Sequence, residues 1–261
     1  MKTGKVIFVS AGPGAADLIT LRGARALQQA DVVLFDALTD PALRELAPQA
    51  EWLDVGKRGF CDSTAQTAIN ALLVRQARVH GLVVRLKGGD ASIFGRLEEE
   101  LLALAEAGIE SEVVPGVTAA IAAAAHTQRP LTRRGQGRSV ALTTAMTRDG
   151  DLQALRSADT EVFYMAGRQL AQLGRKLLEA GWPADTPVLV VSRAGCADAL
   201  SSEHQVGSLA AASMLHRGRP TVVTVGAGAA PLAGVRKAAH TRHSEKALLD
   251  THQSRATSLN D

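Results

Sequence analysis

Residues 83–96, VVRLKGGDASIFGR, combine a pair of glycines with an acid in a way that suits a ligand site. The β-branched start of this stretch predicts a strand that ends just before Gly88-Gly89-Asp90. Two consecutive glycines at a strand end permit a positive φ, or let a ligand approach the backbone closely. Asp90 would then stand at the carboxyl end of the strand, where open α/β sheets bind their ligands. The same residues would also make an ordinary turn before a helix, and spacing alone does not separate the two interpretations.

Two ionisable side chains follow other short apolar runs. Asp36 comes directly after Val32–Phe35, and Lys57 follows a run that ends at Val55. Because the carboxyl ends of parallel strands meet at one edge of a sheet, both side chains could face one cleft, where a carboxylate can accept a proton. The alternatives are a strand-terminal turn at Asp36 and a solvated loop at Lys57, and the local residues by themselves favour these.

The loop at residues 12–14, Gly-Pro-Gly, imitates part of a dinucleotide-binding loop. It follows a predicted strand, and Asp36 lies where that motif has its ribose-binding acid, ~20 residues on. The third glycine of the motif is replaced by Asp17, and an acid there would oppose a pyrophosphate at the helix N-terminus. A nicotinamide oxidoreductase is therefore the weaker interpretation of this loop.

Six arginines, four of which lie near the middle of the chain, could bind a substrate that carries several carboxylates. An ordinary basic surface loop is the alternative. The arginines are Arg58, Arg96, Arg129, Arg133, Arg134 and Arg138. The 7 histidines and 2 cysteines show no metal-ligand spacing, so we predict no metal site. Met165 follows Val162-Phe163-Tyr164, where core packing would be its ordinary role.

Strands and helices alternate along the chain, which predicts an α/β fold with a mostly parallel sheet. The predicted strands lie at 5–9, 32–35, 52–55, 83–87, 111–114, 139–143, 161–164, 187–191 and 220–225. The predicted helices lie at 21–30, 41–46, 64–79, 97–107, 117–125, 168–180 and 207–215. The pattern changes after residue 115, so we predict two α/β domains, 1–116 and 117–228. Residues 229–261 form a polar tail that we expect to be disordered or loosely attached.

The composition predicts a sizeable core of small aliphatic side chains, since the 261 residues are 46% hydrophobic and only 3% aromatic. No stretch approaches the ~18 apolar residues of a membrane span, and Met1–Gly4 runs directly into a strand, so we expect neither membrane attachment nor a signal peptide. Cys61 and Cys196 cannot form a disulfide framework, and we expect a cytoplasmic protein. The net charge of +3 indicates polyanion binding only weakly, and we predict no nucleic-acid partner.

Taken together, the motifs resemble the tetrapyrrole methylase family from residue 4 to about residue 228. In order, the matching pieces are SAGPGAADLITLRGARALQQADVVLFDAL, VGKR, Gln66 with Ile69-Asn70, VVRLKGGD, IFGR, VVPGVTAA, RPLTRR, VFYMAG and TPVLVV. Each piece is weak by itself, but the ordered set is specific. The resemblance implies two α/β domains with S-adenosylmethionine in the cleft between them, usually in a homodimer and without a metal.

For activity, the resemblance implies C-methylation of uroporphyrinogen III by S-adenosylmethionine, first at C2 and then at C7. The products would be precorrin-2, through precorrin-1, and S-adenosylhomocysteine. Sirohaem, cobalamin or haem d1 synthesis could consume that product. The alternatives are a methyltransferase of the same fold that acts on a later corrinoid intermediate, and a weakly active or non-catalytic tetrapyrrole-binding paralogue.

The resemblance also implies roles for single residues. Asp36 matches the proposed proton acceptor and Lys57 the proposed proton donor. Arg96, Glu99 and Arg134 match positions associated with the tetrapyrrole, whose acetate and propionate groups suit arginine. The positions that match contacts to the methyl donor are Pro13, Gly88, Gly89, Asp90, Ile93, Thr118, Ala119, Met165 and Ala194.

The chain departs from the family pattern more often where the substrate would bind than where the methyl donor would. The departures are Ala15 for aspartate, Ala37 for arginine, Asp62 for histidine, Ala91 for proline, Leu97-Glu98 for a glycine pair, Arg133 for histidine, and Ala145-Met146 for Gly-His. They are the reason for keeping an altered substrate or a poorly active paralogue as alternatives.

Overall fold

The computed structural model describes residues 4–56, 66–145 and 151–235, and two five-stranded sheets dominate it. The strands of the first sheet are β1 (Lys5–Ser10), β2 (Val32–Phe35), β3 (Glu51–Asp54), β4 (Leu82–Lys87) and β5 (Ser111–Val114). Their spatial order is β3-β2-β4-β1-β5, and every pair is parallel. The carboxyl ends of all five strands therefore lie at one edge, as the sequence predicts.

Helices cover both faces of the first sheet, which is why its strands are short runs of β-branched and apolar residues. The helices are α1 (Leu21–Gln28), α2 (Gln66–Val79) and α3 (Leu97–Glu106), with 3₁₀ helices at Ala16–Leu18 and Pro41–Leu46. Side chains of β1 alternate between two apolar clusters, because Phe8 packs with Leu73 and Leu104 whereas Val9 packs with Leu27. The first sheet thus places Asp36, which follows β2, at the edge of a layer that has helices on both faces.

The second sheet is mixed. Its strands are β6 (Val140–Thr144), β7 (Thr160–Tyr164), β8 (Pro187–Ser192), β9 (Leu200–Gln205) and β10 (Thr221–Gly226). The order is β6-β7-β10-β8-β9, in which only the β6–β7 pair is parallel. Helices α4 (Ala119–Thr127) and α5 (Leu170–Glu179) pack on opposite faces, the latter together with the 3₁₀ helix Val206–Ala212.

The first sheet confirms the prediction of a mostly parallel sheet, whereas no strand direction was predicted for the second half, whose sheet is mixed. Strand direction depends on the connections between strands, and local hydrophobic patterns do not encode it. Strand β9 was also not predicted, because its sequence, LSSEHQ, contains one apolar residue and lies at a sheet edge. The helices predicted at 41–46 and 207–215 are 3₁₀ helices at 41–46 and 206–212.

The division of the chain into domains 1–116 and 117–228 stays a prediction, as does the nature of the tail 229–261. The described part of that tail begins in the 3₁₀ turn Ala227–Ala229, whereas residues 236–261 lie outside the described residues. Across the described ranges, no helix is both long enough and apolar enough to span a bilayer.

Candidate active site

A pair of glycines joins the carboxyl ends of β1 and β4. Gly12 donates its backbone N–H to the carbonyl oxygen of Gly89 at 3.1 Å, and Gly89 donates to the carbonyl oxygen of Gly12 at 2.7 Å. Both residues have a positive φ, 81° and 70°, which glycine adopts without strain. A Cβ built on Gly89 would meet no atom within 4 Å. The turn therefore has open space beside its backbone, as a ligand site requires.

Asp90 fixes this turn to the loop that follows β5. Its Oδ1 accepts the backbone N–H of Ser92 and its Oδ2 that of Gly116, both at 2.8 Å. The backbone N–H of Ala91 donates to Ser10 Oγ at 3.0 Å, so the end of β1 is held as well. The half-buried carboxylate of Asp90 is thus oriented where three strand ends meet.

The loop after β1 also contacts the loop after β8, in the second sheet. Ala15 donates its backbone N–H to the carbonyl oxygen of Gly195 at 2.9 Å, and a Cβ on Gly195 would lie 3.1 Å from Pro13 Cγ. Ala194 is buried beside this contact. Burial also raises the pKa of the neighbouring Cys196 thiol, which keeps it protonated and poorly nucleophilic.

A second contact between the two sheets is made by Tyr164, at the end of β7. Its hydroxyl lies 2.7 Å from Thr118 Oγ1 and accepts the backbone N–H of Ala120 at 3.2 Å. The ring of Phe94 meets the Tyr164 ring edge-on, with centroids 5.1 Å apart. Because Phe94 belongs to the segment after Asp90, this contact brings the glycine turn and the start of α4 together.

The remaining residues matched to the methyl donor lie around these contacts. Gly88 lies against Leu38, Ile93 donates its backbone N–H to the Asp90 carbonyl oxygen at 3.1 Å, and Ala119 is the first residue of α4. Met165 is 56% exposed, so the expectation that it packs in the core is wrong. Left-handed backbone at non-glycine residues is strained and is concentrated at functional sites. Four such residues lie near the contacts: Phe94, Arg96, Met165 and Arg193.

Asp36 is held by a buried arginine. Arg85 Nη2 donates to Asp36 Oδ1 at 2.6 Å, and Arg85 Nη1 donates to the carbonyl oxygens of Leu34 and Leu86. Arg85 in turn donates to both carboxylate oxygens of Glu100, at 3.0 and 3.3 Å, and Lys87 Nζ donates to Glu100 Oε1 at 2.8 Å. Arg85, Lys87 and Glu100 are 2%, 3% and 0% exposed. Two buried cations thus share one buried carboxylate.

Burial acts differently on the two cations of this cluster. Burial lowers the pKa of Arg85, but the charges of Asp36 and Glu100 outweigh burial, so the pKa of Arg85 is raised overall. Burial, followed by the charge of Arg85, lowers the pKa of Lys87 below its usual value of 10.5, although Glu100 opposes this. Arg85 is therefore the permanent cation next to Asp36.

Lys57, the predicted proton donor, lies outside the described residues, as do Arg58, Cys61 and Asp62. The residue before it, Gly56, packs so tightly against the residue after Asp36 that a Cβ would lie 2.1 Å from the Ala37 nitrogen. Gly56 also donates its backbone N–H to Asp54 Oδ1 at 2.9 Å. The chain at Gly56 therefore lies directly beside the Asp36 loop.

The residues matched to the tetrapyrrole are exposed. Arg96 and Glu99 form a bidentate pair on the first turn of α3, with both hydrogen bonds at 2.7 Å. Arg134 lies on a different loop, in a turn closed by a hydrogen bond of 2.6 Å from the Arg133 N–H to the Gly137 carbonyl oxygen. Arg133 itself donates to the carbonyl oxygens of Ala227 and Ala230, so it supports the fold.

The unit formed by Arg85, Lys87 and Glu100 was not predicted from the sequence. A usable signal was present, since Arg85 and Lys87 occupy alternate positions of an otherwise apolar strand and so point to one face. Two cations buried on one face require an acid nearby. Glu100 supplies it from the acidic start of α3. Within the ranges that the structure describes, no cluster of three or more His, Cys, Asp or Glu residues could hold a metal ion.

Comparison with known proteins gives a consistent picture. The model of the family "Tetrapyrrole (Corrin/Porphyrin) Methylases" matches residues 5–210. A uroporphyrinogen-III C-methyltransferase from Pseudomonas aeruginosa is 45% identical over 211 residues, which are 79% of this chain and 86% of the relative. A siroheme synthase from Sodalis glossinidius is 45% identical over 228 residues, 85% of this chain, but the chain spans only 48% of that protein.

A solved structure shows the same fold. It is a uroporphyrin-III C-methyl transferase from Thermus thermophilus complexed with S-adenyl homocysteine, and it is 36% identical to this chain with a TM-score of 0.75. The match covers 85% of this chain and 97% of the Thermus chain. The likeness therefore includes both sheets and the edge at which their loops meet.

Proposed function

Because the chain belongs to the tetrapyrrole (corrin/porphyrin) methylase family, we propose that it is a uroporphyrinogen-III C-methyltransferase. It would transfer methyl groups from S-adenosylmethionine to C2 and then C7 of uroporphyrinogen III, giving precorrin-2 through precorrin-1. The observation that carries the proposal is the convergence of loops from both sheets at the carboxyl edge of the first sheet, in a fold shared with a transferase that holds S-adenyl homocysteine.

The methyl donor would bind where these loops meet. The open backbone at Gly89 allows close approach, and the oriented carboxylate of Asp90 suits a cationic donor with ribose hydroxyls. Pro13, Gly88, Ile93, Thr118, Ala119, Met165 and Ala194 would complete this site. The exposed thioether of Met165 would offer a polarizable apolar contact.

The tetrapyrrole would bind through its carboxylates to Arg96 and Arg134, with Glu99 holding Arg96 until the substrate arrives. An exposed Arg–Glu pair contributes little to stability, so it can open at small cost when a substrate carboxylate competes for the guanidinium. This arrangement would place the macrocycle above the start of α3, next to the glycine turn.

In each transfer, an electron-rich pyrrole carbon forms a bond to the methyl carbon while the bond from that carbon to the sulfonium sulfur breaks. S-adenosylhomocysteine leaves and the macrocycle loses one proton. Asp36 would accept this proton. Lys57, as the proton donor, would protonate the macrocycle transiently and take the proton back, so that the net change stays the loss of one proton. The rest of the catalysis is in-line positioning of two bound substrates, for which the rigid edge of a parallel sheet is suited.

Incubation with enzymatically made uroporphyrinogen III and S-adenosylmethionine tests this function. We expect S-adenosylhomocysteine and a product whose mass has increased by two CH2 units, because each transferred methyl group replaces a proton. Turnover of a later corrinoid instead would support that alternative, and binding of the donor without turnover would support a tetrapyrrole-binding protein. Thermal protection by NAD but not by S-adenosylhomocysteine would support an oxidoreductase.

We further propose a homodimer working in the cytoplasm, without nucleic-acid or membrane partners. Family resemblance supports the dimer. Light scattering coupled to size-exclusion chromatography should then give twice the chain mass of 27.3 kDa, and a value equal to the chain mass would contradict the dimer.

A further inference from the structure

Glu100 is the wholly buried acid on the inner side of α3, one residue after the exposed Glu99. Its Oε2 accepts Arg85 Nε at 3.0 Å, and its Oε1 accepts Lys87 Nζ at 2.8 Å. Gln66, the first residue of α2, donates its side-chain amide to the same Oε1 at 3.2 Å. Glu100 thus connects β4 with the starts of two helices.

These contacts determine where the guanidinium of Arg85 lies. Nε and one N–H of Nη2 donate to Glu100, and Nη1 donates to two backbone carbonyls. The other N–H of Nη2 donates to Asp36 Oδ1 at 2.6 Å. A planar guanidinium with its other donors engaged has little freedom to rotate. The direction of the Asp36 carboxylate therefore depends on a group that does not itself reach the cleft.

We propose that Glu100 is a positioning residue of the active site, which acts through Arg85 to hold the Asp36 carboxylate in the orientation needed for proton transfer. This inference rests on the proposed function, because it takes Asp36 as the proton acceptor. It assigns different tasks to neighbouring acids of one helical turn. Glu99 faces the substrate side, and Glu100 faces the buried side of β4.

The test uses Glu100→Gln, which keeps the shape of the side chain and removes its charge, and Arg85→Lys, which keeps the cation but loses the planar fork. Glu106→Gln is the matched control, because Glu106 is an exposed glutamate at the opposite end of α3. We expect both variants to lower kcat by about 10- to 100-fold, the effect of a displaced catalytic group, with unchanged affinity for S-adenosylhomocysteine. The control should keep the wild-type kcat.

A merely structural role is separated by repeating both substitutions in an Asp36→Asn background. If Glu100 acts through Asp36, neither substitution lowers kcat further in that background. An equal fall in both backgrounds, or wild-type kcat in either folded variant, would overturn the proposal. Should Glu100→Gln fail to fold, Arg85→Lys still decides the outcome.

A crystal structure of Glu100→Gln, or of Arg85→Lys if the former does not fold, gives a readout that does not depend on turnover. We expect the side chain at position 85 to lie beyond hydrogen-bond distance of Asp36 Oδ1, or Asp36 to adopt another rotamer. An unchanged Asp36 in this structure would contradict the positioning role. If the wild type does not methylate uroporphyrinogen III, the proposed function fails, whereas the structure still decides whether Glu100 positions Asp36.

Discussion

Asp36 combines a fixed oxygen with an available one. Oδ1 is engaged by Arg85 at 2.6 Å, whereas the side chain as a whole is 31% exposed. Among the described residues, no hydrogen bond to Oδ2 is seen. A carboxylate held by one oxygen and accessible through the other suits a general base, because its direction is set before the substrate arrives.

Asp36→Asn should lower kcat by about 10²- to 10⁴-fold, the usual contribution of a general base. Asparagine keeps an oxygen that can accept from Arg85, so the fold and the affinity for S-adenosylhomocysteine should be unchanged. Methyl transfer is measured as S-adenosylhomocysteine released per donor site. Asp185→Asn, on an exposed loop before β8, is the control. Wild-type turnover in Asp36→Asn would remove this residue from the mechanism.

That Asp36 and the glycine turn follow strands could be predicted from the sequence, whereas their roles in the site stay predictions. The partners that position them could not be predicted, because the pairing of Arg85 with Glu100 joins a strand to a helix through tertiary packing. The exposure of Met165 was also hidden, since the residue follows directly on a buried strand and takes a left-handed backbone.

The three strands β8, β9 and β10 are connected by a chain of hydroxyl and imidazole groups, of which Ser202 and His204 are half-buried and the others are buried. His216, which is 0% exposed, lies between Ser192 on β8 and Ser202 on β9, with hydrogen bonds of 2.6 Å at Nδ1 and 2.8 Å at Nε2. Ser192 continues to Thr221 of β10, and Ser202 to His204. Burial, with the charges of His204 and Arg219, lowers the pKa of His216 below its usual 6.5.

The hydrogen-bonded groups around His216 predict how the free energy of unfolding depends on pH. A histidine whose folded-state pKa is lowered binds fewer protons in the folded than in the unfolded chain. The contribution of neutral His216 to the free energy of unfolding is therefore fully present above pH 6.5. It is lost as the pH falls below 6.5 towards the folded-state pKa. Burial lowers the pKa of His204 as well, with the same sign. The free energy of unfolding should thus be smaller at pH 5.5 than at pH 7.5.

Urea denaturation of His216→Gln at both pH values checks this expectation. The variant should be less stable than the wild type at pH 7.5, where its buried serines lose a partner, but its stability should change less between the two pH values. His80→Gln, at the end of α2, is the control and should keep the wild-type difference. An unaltered pH dependence in His216→Gln would show that another group causes it.

Elements were predictable wherever burial on both faces requires a continuous apolar run, as in β1 and β2. Helix α1 was predictable from its cap as well, since Thr20 Oγ1 accepts the Gly23 N–H at 3.1 Å. The antiparallel order of the second sheet was not predictable, because strand direction depends on the connections between strands and apolar runs do not encode it.

At the scale of the whole molecule, the two sheets meet through backbone and ring contacts. The loop after β1 makes the tightest of these contacts, with the loop after β8. A Cβ on Gly14 would lie 2.6 Å from Cys196 Sγ and 2.7 Å from the Gly195 carbonyl carbon. Glycine is required here because the two loops leave no room for a methyl group.

Gly14→Ala should therefore push the loops apart and lower the affinity for S-adenosylhomocysteine by about tenfold, or ~1.4 kcal/mol, which is within the usual cost of overpacking. Titration calorimetry measures this affinity. Gly207→Ala is the control, since its new methyl group would meet Ala184 Cβ at 3.3 Å, remote from the cleft. An affinity equal to that of the wild type would show that the loop contact does not shape the donor site.

The presence of two sheets followed from the restart of strands after residue 138, but their meeting did not follow from any local pattern. It depends on loops about 180 residues apart in sequence, Ala15 with Gly195, and on Phe94 with Tyr164. Only the family resemblance anticipated a cleft there, because it compares whole ordered sets of motifs.

Tyr164, whose hydroxyl lies beside Thr118 and whose ring meets Phe94, is the chain's single tyrosine. The chain's one phenol thus lies where loops of the two sheets meet. Selective isotopic enrichment of tyrosine would yield one ring spin system in an NMR spectrum, with no assignment needed. Its chemical shift would report donor binding and loop separation directly, without a fluorescent tag or any substitution in the protein.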